Sequence, residues 1–166
     1  MKERILTSLL TVFVISGIQA QAPSPVPRLV VGLTIDQLRA DYIEAFSALY
    51  GERGFKRLLK EGRIYTNAEY DFINVDRSSA TASIYTGTTP YYNGIPSNRW
   101  MDRGSLRIIK SVDDQDFMGV YTSESSSAKL LRCSTLSDEL KVATQGRAEV
   151  YSIAPTREMA ILAAGH

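Results

Sequence analysis

The stretch RLVVGLTID at residues 28–36 decides the fold class that the sequence predicts. A continuous run of apolar and β-branched residues, without alternating polar positions, is typical of a strand buried on both faces of a parallel sheet. The run ends in Asp36, and open parallel sheets bind their ligands outside the carboxyl ends of their strands. Asp36 is therefore a candidate site residue. The alternative is a carboxylate that caps a helix or faces water.

Helical spacing returns several times after this strand, and further apolar runs predict more strands. Thr135 and Asp138 form a capping-box pattern, with Asp in place of Glu, that predicts a helix start. The predicted helices are residues 42–49, 55–61, 78–86, 136–144 and 156–164, and the further predicted strands are residues 64–68, 107–109 and 148–153. Strands that alternate with helices predict an α/β three-layer sandwich with a mainly parallel sheet. Residues 113–116 and 123–127 are expected to be loops in an insertion between core elements.

The first twenty residues have the pattern of a secretory signal peptide. Lys2 and Arg4 precede an apolar run over residues 5–18, and Ala20 or Ala22 supplies a small-residue cleavage site. The apolar run is shorter than the roughly 20 residues that a membrane-spanning helix needs. We therefore expect a signal peptide at residues 1–20, a Pro-rich spacer at 21–28, one domain at 29–166, and a periplasmic or secreted protein without a stable membrane span. An uncleaved N-terminal anchor or a lipidated form is the alternative.

Composition excludes several function classes. Lys plus Arg number 19 and Asp plus Glu number 18, so the chain lacks the basic excess of a nucleic-acid-binding protein. A single Cys and a single His exclude a disulfide framework and a His- or Cys-rich metal site within these residues. Any metal held by this sequence would rest on carboxylates and hydroxyls.

Six ordered blocks resemble the alkaline phosphatase superfamily, and they are most similar to the bacterial phosphate-irrepressible alkaline phosphatases and the type I phosphodiesterases. The blocks are VVGLTIDQLRADY (30–42), GFKRL (54–58), SIYTGTTP (83–90), NGI (93–95), NRW (98–100) and ILAAGH (161–166). The resemblance covers the whole chain after the signal peptide. It implies an alkaline phosphatase-like fold that is incomplete in this chain.

The resemblance also implies an exported, metal-dependent hydrolase of small phosphate esters that uses two zinc ions to clamp the attacking and leaving oxygens. In such enzymes the aspartate that closes the first strand ligates one metal, and Asp36 matches it. A Thr or Ser at a helix start is the nucleophile, and an Asn in the following loop contacts the phosphoryl oxygens. Asn98 matches that Asn.

The sequence departs from the family pattern in two places. Counted back from Asn98, the nucleophile position holds Arg77, which stays protonated and cannot attack phosphorus. Ser78 is the substitute nucleophile if the loop shifts by one residue, and a helix-capping serine is the alternative. Arg77 is either a solvated residue or a bidentate ligand for phosphate.

The second departure lies before the last block. The basic pair that binds phosphate monoesters in the nearest relatives is replaced by Thr156 and Glu158. Arg157 lies between them, either as a substitute phosphate ligand or as an ordinary helix-surface residue.

The sequence thus favours the N-terminal part of an exported phosphatase or phosphodiesterase, because the remaining Asp and His ligands of the family have no counterpart here. Whether it is an enzyme stays open at this point. A non-catalytic exported anion-binding protein and an inactive remnant on the same scaffold are the alternatives.

Overall fold

The structure is a computed structural model that describes residues 26–166. The predicted signal peptide and most of the Pro-rich spacer lie outside the described residues. Residues Val31–His166 form one compact unit, and all the elements below belong to it. Among the described residues, no helix has the length and apolar character needed to cross a membrane.

Six α-helices and four short strands make up this unit. The helices are α1 (Ala40–Ala45), α2 (Phe55–Glu61), α3 (Arg77–Thr86), α4 (Pro90–Asn93), α5 (Leu136–Ala143) and α6 (Arg157–Ala164), with a 3-10 turn at Ser47–Leu49. The strands are β1 (Arg99–Met101), β2 (Ile108–Lys110), β3 (Asp113–Met118) and β4 (Ser125–Ser126). The five helices predicted from the sequence are thereby confirmed within a few residues at their ends.

Capping explains where the longer helices begin and end. At the start of α5, the Thr135 side chain accepts from the backbone of Asp138, and Asp138 accepts from the backbone of Thr135, so the predicted capping box is confirmed. α3 begins with a second capping box, formed by Asp76 and Ser79. It ends at Gly87, whose φ of 68° lies in the left-handed region that glycine adopts without strain.

The strands form two separate antiparallel pairs. β1 pairs with β2, with Trp100 opposite Ile109, and β3 pairs with β4 across an irregular register. The strand expected at 107–109 is confirmed as β2. Residues 113–116 and 123–127 were expected to be loops, and that was wrong, because they contribute to β3 and β4.

The prediction of core strands at 28–36, 64–68 and 148–153 was wrong. These residues lie outside any strand. Several of their apolar side chains face solvent: Leu33 is 80% exposed and Ile153 is 98% exposed. A strand of a parallel sheet is held by hydrogen bonds to neighbours on both sides. Without such neighbours, its β-propensity alone does not produce a ladder.

A small apolar core lies around α3, α6 and the two hairpins. α3 packs against α4, α5 and α6. The buried members of this core are Ala82, Ile95, Val112, Ala128, Leu131 and Leu162, and Trp100, Leu130 and Ile161 pack against them. The core therefore fixes α3 relative to α6.

Candidate functional site

One cleft of about 710 Å³ brings together residues that are far apart in sequence. It lies beside the starts of α3 and α6 and is lined by Asp36, Arg77, Asn98, Thr156 and Glu158, among others. Three of the residues predicted for the site, Asp36, Arg77 and Asn98, therefore share this cleft. Two others, Ser78 and Arg157, do not line it.

Asp36 and Arg77 form an ion pair on the wall of the cleft. Arg77 Nε donates to Asp36 Oδ2 over 2.7 Å, and the two side chains are 55% and 40% exposed respectively. Water screens a pair that is this exposed, so its contribution to folding is small, within about 1 kcal/mol. The ion pair has a larger effect on what Asp36 can bind, because a guanidinium already contacts one of its carboxylate oxygens.

Asp76 holds the start of α3 and the Asn98 loop together. Its carboxylate accepts from the backbone N–H of Ser79 and of Asn98, over 2.9 Å and 2.6 Å, and from the Ser97 hydroxyl over 2.7 Å. Burial raises the pKa of Asp76, but the hydrogen bonds to its charged form outweigh burial and hold the pKa below its ordinary value. Sequence reasoning missed this residue, although the D-x-x-S pattern of residues 76–79 signals a cap.

The Ser78 hydroxyl points into the protein rather than into the cleft. Ser78 is fully buried, and its Oγ donates to Asn98 Oδ1 over 3.0 Å and lies 3.1 Å from Ser111 Oγ. Because Oδ1 accepts from Ser78, Asn98 is left with Nδ2 as its donor toward a ligand. In this geometry Ser78 orients Asn98.

Thr156 and Glu158 bring hydroxyl and carboxylate groups to the other side of the cleft. Thr156 precedes α6 without capping it through its side chain. Its buried Oγ1 has no hydrogen-bond partner among residues 26–166. The Glu158 carboxylate lies 3.5 Å from Arg157 Nε and its side chain is 19% exposed.

Arg157 faces the β3–β4 hairpin instead of the cleft. Its guanidinium donates to Glu124 over 2.6 Å and to Ser126 over 2.9 Å, and it also contacts Asp113. Burial lowers its pKa, but these carboxylates outweigh burial and raise the pKa above its ordinary value. Arg157 therefore fastens α6 to the hairpin.

The described residues do not fit a two-zinc centre. No group of three or more His, Cys, Asp or Glu side chains within residues 26–166 is close enough to hold a metal ion. The single carboxylate expected as a ligand, Asp36, already accepts from a guanidinium. A zinc ion there would meet the positive charge of Arg77 at close range, where like charges repel strongly.

Comparisons with known proteins place these observations in a family. Residues 30–152 match the family model described as type I phosphodiesterase / nucleotide pyrophosphatase. Alkaline phosphatase PhoV of Synechococcus elongatus is 40% identical over 143 residues, which are 84% of this chain and 26% of that protein. Alkaline phosphatase PafA of Elizabethkingia meningoseptica is 36% identical over 165 residues, which are 95% of this chain and 30% of that protein.

The fold comparison agrees. The crystal structure of wild-type alkaline phosphatase PafA superimposes with a TM-score of 0.82 at 33% identity, over 86% of this chain and 28% of that one. This match confirms the predicted α/β fold class of the alkaline phosphatases, incomplete in this chain. The chain spans less than a third of the length of these relatives.

Proposed function

Because the chain belongs to the type I phosphodiesterase / nucleotide pyrophosphatase family, we propose that it is the N-terminal part of an exported, metal-dependent phosphoric ester hydrolase. The observation that carries this proposal is the cleft shared by Asp36, Arg77 and Asn98, of which Asp36 and Asn98 stand in separate matching blocks of the sequence. Its substrate is a small-molecule phosphate ester whose phosphoryl group occupies this cleft.

The spacing of site residues supports the assignment of Arg77 to the nucleophile position. A solved PafA variant carries substitutions at a threonine and an asparagine that lie 21 residues apart, and at a lysine and an arginine that lie two apart. Arg77 and Asn98 are also 21 residues apart, and Thr156 and Glu158 are two apart. The four positions of this chain line one cleft.

Two residues of the cleft suit a phosphoryl group. Arg77 uses Nε on Asp36, so its two terminal nitrogens remain as donors for a pair of oxygens. Asn98 adds its amide Nδ2, held in direction by Ser78. Together they would neutralise and orient the charged end of a phosphate ester.

Hydrolysis itself needs groups that these residues do not supply in their present arrangement. Zinc dependence stays a prediction from the family resemblance, with Asp36 as the ligand from this chain. Ser78 stays the predicted nucleophile, and its hydroxyl would have to leave Asn98 and turn toward the cleft before it could attack phosphorus.

The ion pair between Arg77 and Asp36 favours a second candidate function, a non-catalytic exported protein that binds phosphate-type anions on the same scaffold. A guanidinium cation has no free lone pair with which to attack phosphorus, so Arg77 does not replace the missing nucleophile. This arrangement would then bind a phosphate-type anion without hydrolysing an ester.

Hydrolysis assays separate the two functions. The polypeptide encoded by the complete reading frame should be assayed on p-nitrophenyl phosphate and bis(p-nitrophenyl) phosphate, with zinc and with a chelator. The hydrolase proposal expects zinc-dependent turnover that Asp36→Ala abolishes. Asp41→Ala removes an exposed carboxylate that pairs with Arg39 instead and should leave turnover unchanged. Phosphate binding without turnover under both conditions would support the second function and contradict the first.

A further inference from the structure

We propose that Arg77 takes the place of a metal cation beside Asp36, so that this cleft binds a phosphate-type oxyanion without a metal ion. The inference rests on the proposed function, because it concerns the same phosphoryl-binding cleft. It differs from the family expectation in one respect, since the charge that neutralises the anion comes from a side chain of this chain.

The first step of the argument is the position of the positive charge. Arg77 Nε lies 2.7 Å from Asp36 Oδ2, closer than any water-separated pair. The guanidinium thereby offsets the charge of the carboxylate that would attract a metal. Within the described part of the chain, no cluster of three metal-binding side chains competes for that role.

The second step is the remaining hydrogen-bonding capacity of Arg77. The contact with Asp36 uses one of five N–H groups and leaves the edge formed by the two terminal nitrogens. The side chain is 55% exposed and lines the cleft, so that edge is open to a ligand. A planar pair of donors matches two oxygens of a phosphate group.

The third step is independent of Arg77 and comes from Thr156. Thr156 lines the same cleft, and its buried hydroxyl has no partner among residues 26–166. Buried polar groups in folded proteins are almost always satisfied, and exceptions call for an explanation. An oxyanion in the cleft would provide the missing acceptor.

The fourth step is the direction of Asn98. Ser78 donates to Asn98 Oδ1, while Asp76 accepts from the Asn98 backbone N–H. Ser78 lies in the first turn of α3, which also carries Arg77, and Asp76 caps the start of that helix. The amide donor and the guanidinium are therefore held by one rigid element before any ligand arrives.

Binding of inorganic phosphate to the polypeptide encoded by the complete reading frame tests this inference. Isothermal titration calorimetry in the presence of a chelator should show saturable binding. Arg77→Ala should weaken that binding by about tenfold or more, the range expected for loss of a charge-assisted hydrogen bond. Arg77→Lys should give an intermediate loss, because it keeps the charge but not the planar pair of donors. Thr156→Val, which keeps the shape of the side chain, should weaken binding severalfold.

Arg107→Ala is the matched control, because Arg107 is an exposed arginine that does not line the cleft. An equal loss in Arg107→Ala and Arg77→Ala would overturn the inference, since binding would then follow net charge alone. Circular dichroism of each variant checks its folding. If Arg77→Ala fails to fold, Arg77→Lys and Thr156→Val provide the test.

A zinc titration of the same proteins separates this inference from the proposed function. The inference expects tighter zinc binding in Arg77→Ala than in the unchanged chain, because Asp36 loses its guanidinium partner. Phosphate binding that appears only after zinc is added would overturn the inference and leave the proposed function standing. No phosphate binding with or without zinc would contradict both.

Discussion

The start of α3 and the stretch at residues 28–36 show two different ways in which a sequence becomes structure. At the start of α3, signals between neighbouring residues are enough to define the helix. Asp76 caps it, and Ser78 and Ser79 are fully buried and hydrogen-bonded. Residues 28–36 have stronger β-propensity, yet they lie outside any strand, with Leu33 and Val31 about four-fifths exposed. Capping needs residues three positions apart, whereas a parallel sheet needs partners from distant parts of a chain.

The largest expected difference between the two regions concerns a pair of leucines. Leu162 is fully buried in the core beside α3, so Leu162→Ala should lower the free energy of unfolding by about 3 kcal/mol. Leu33→Ala is the matched control and should change it by less than about 0.5 kcal/mol, because Leu33 is 80% exposed. Urea unfolding measures both. Equal effects would mean that residues 28–36 are packed in solution.

The next effect concerns the cap of α3. Asp76→Ala removes the acceptor for Ser79, Ser97 and Asn98 and should cost about 2 kcal/mol in unfolding free energy. Asp76→Asn keeps one acceptor oxygen and should recover part of that loss. A loss below about 0.5 kcal/mol for Asp76→Ala would show that the cap does not hold this region.

The same carboxylate predicts a pH dependence. The pKa of Asp76 is lower in the folded chain than its ordinary value, so its stabilising effect is present above the unfolded pKa of about 4. That effect is lost as the pH falls through the folded pKa. The stability difference between the unchanged chain and Asp76→Asn should therefore shrink between pH 6 and roughly pH 3. A constant difference across that range in urea unfolding would contradict the assignment.

The smallest expected effect on stability comes from Arg77. Arg77→Ala should change the free energy of unfolding by no more than about 0.5 kcal/mol, because the ion pair with Asp36 is about half exposed. Thermal unfolding of this variant beside Asp76→Ala makes the comparison within one helix turn. If Arg77→Ala lowered the free energy of unfolding as much as Asp76→Ala, Arg77 would have a structural role instead of a role in ligand binding.

The sequence predicted five of the six helices and the cap of α5, because these signals are local. The Thr135–Asp138 box and the glycine ends of α2 and α3 could be read directly from neighbouring residues. The strands could not be read in the same way, since the apolar runs at 28–36 and 148–153 indicate burial only where partners exist. β3 was missed because its acidic residues are typical of a loop. Arg157 and Lys129, which are distant in sequence, form ion pairs with these residues.

The candidate site was partly predictable for the same reason. Spacing from Asn98 placed Arg77 in the site, and the structure brings Arg77 to Asp36. No sequence pattern could show that Ser78 turns inward or that the Thr156 hydroxyl is left without a partner, because both depend on contacts between residues far apart in sequence.

The contacts of Arg157 with the β3–β4 hairpin also bear on how this cleft can change over evolutionary time. Arg157 lies between Thr156 and Glu158 in sequence, but its partners Asp113 and Glu124 belong to another part of the surface. Substitutions in the hairpin can therefore shift one wall of the cleft while every residue that lines it stays the same. Ligand preference can in this way change during evolution through substitutions at positions that do not contact the ligand.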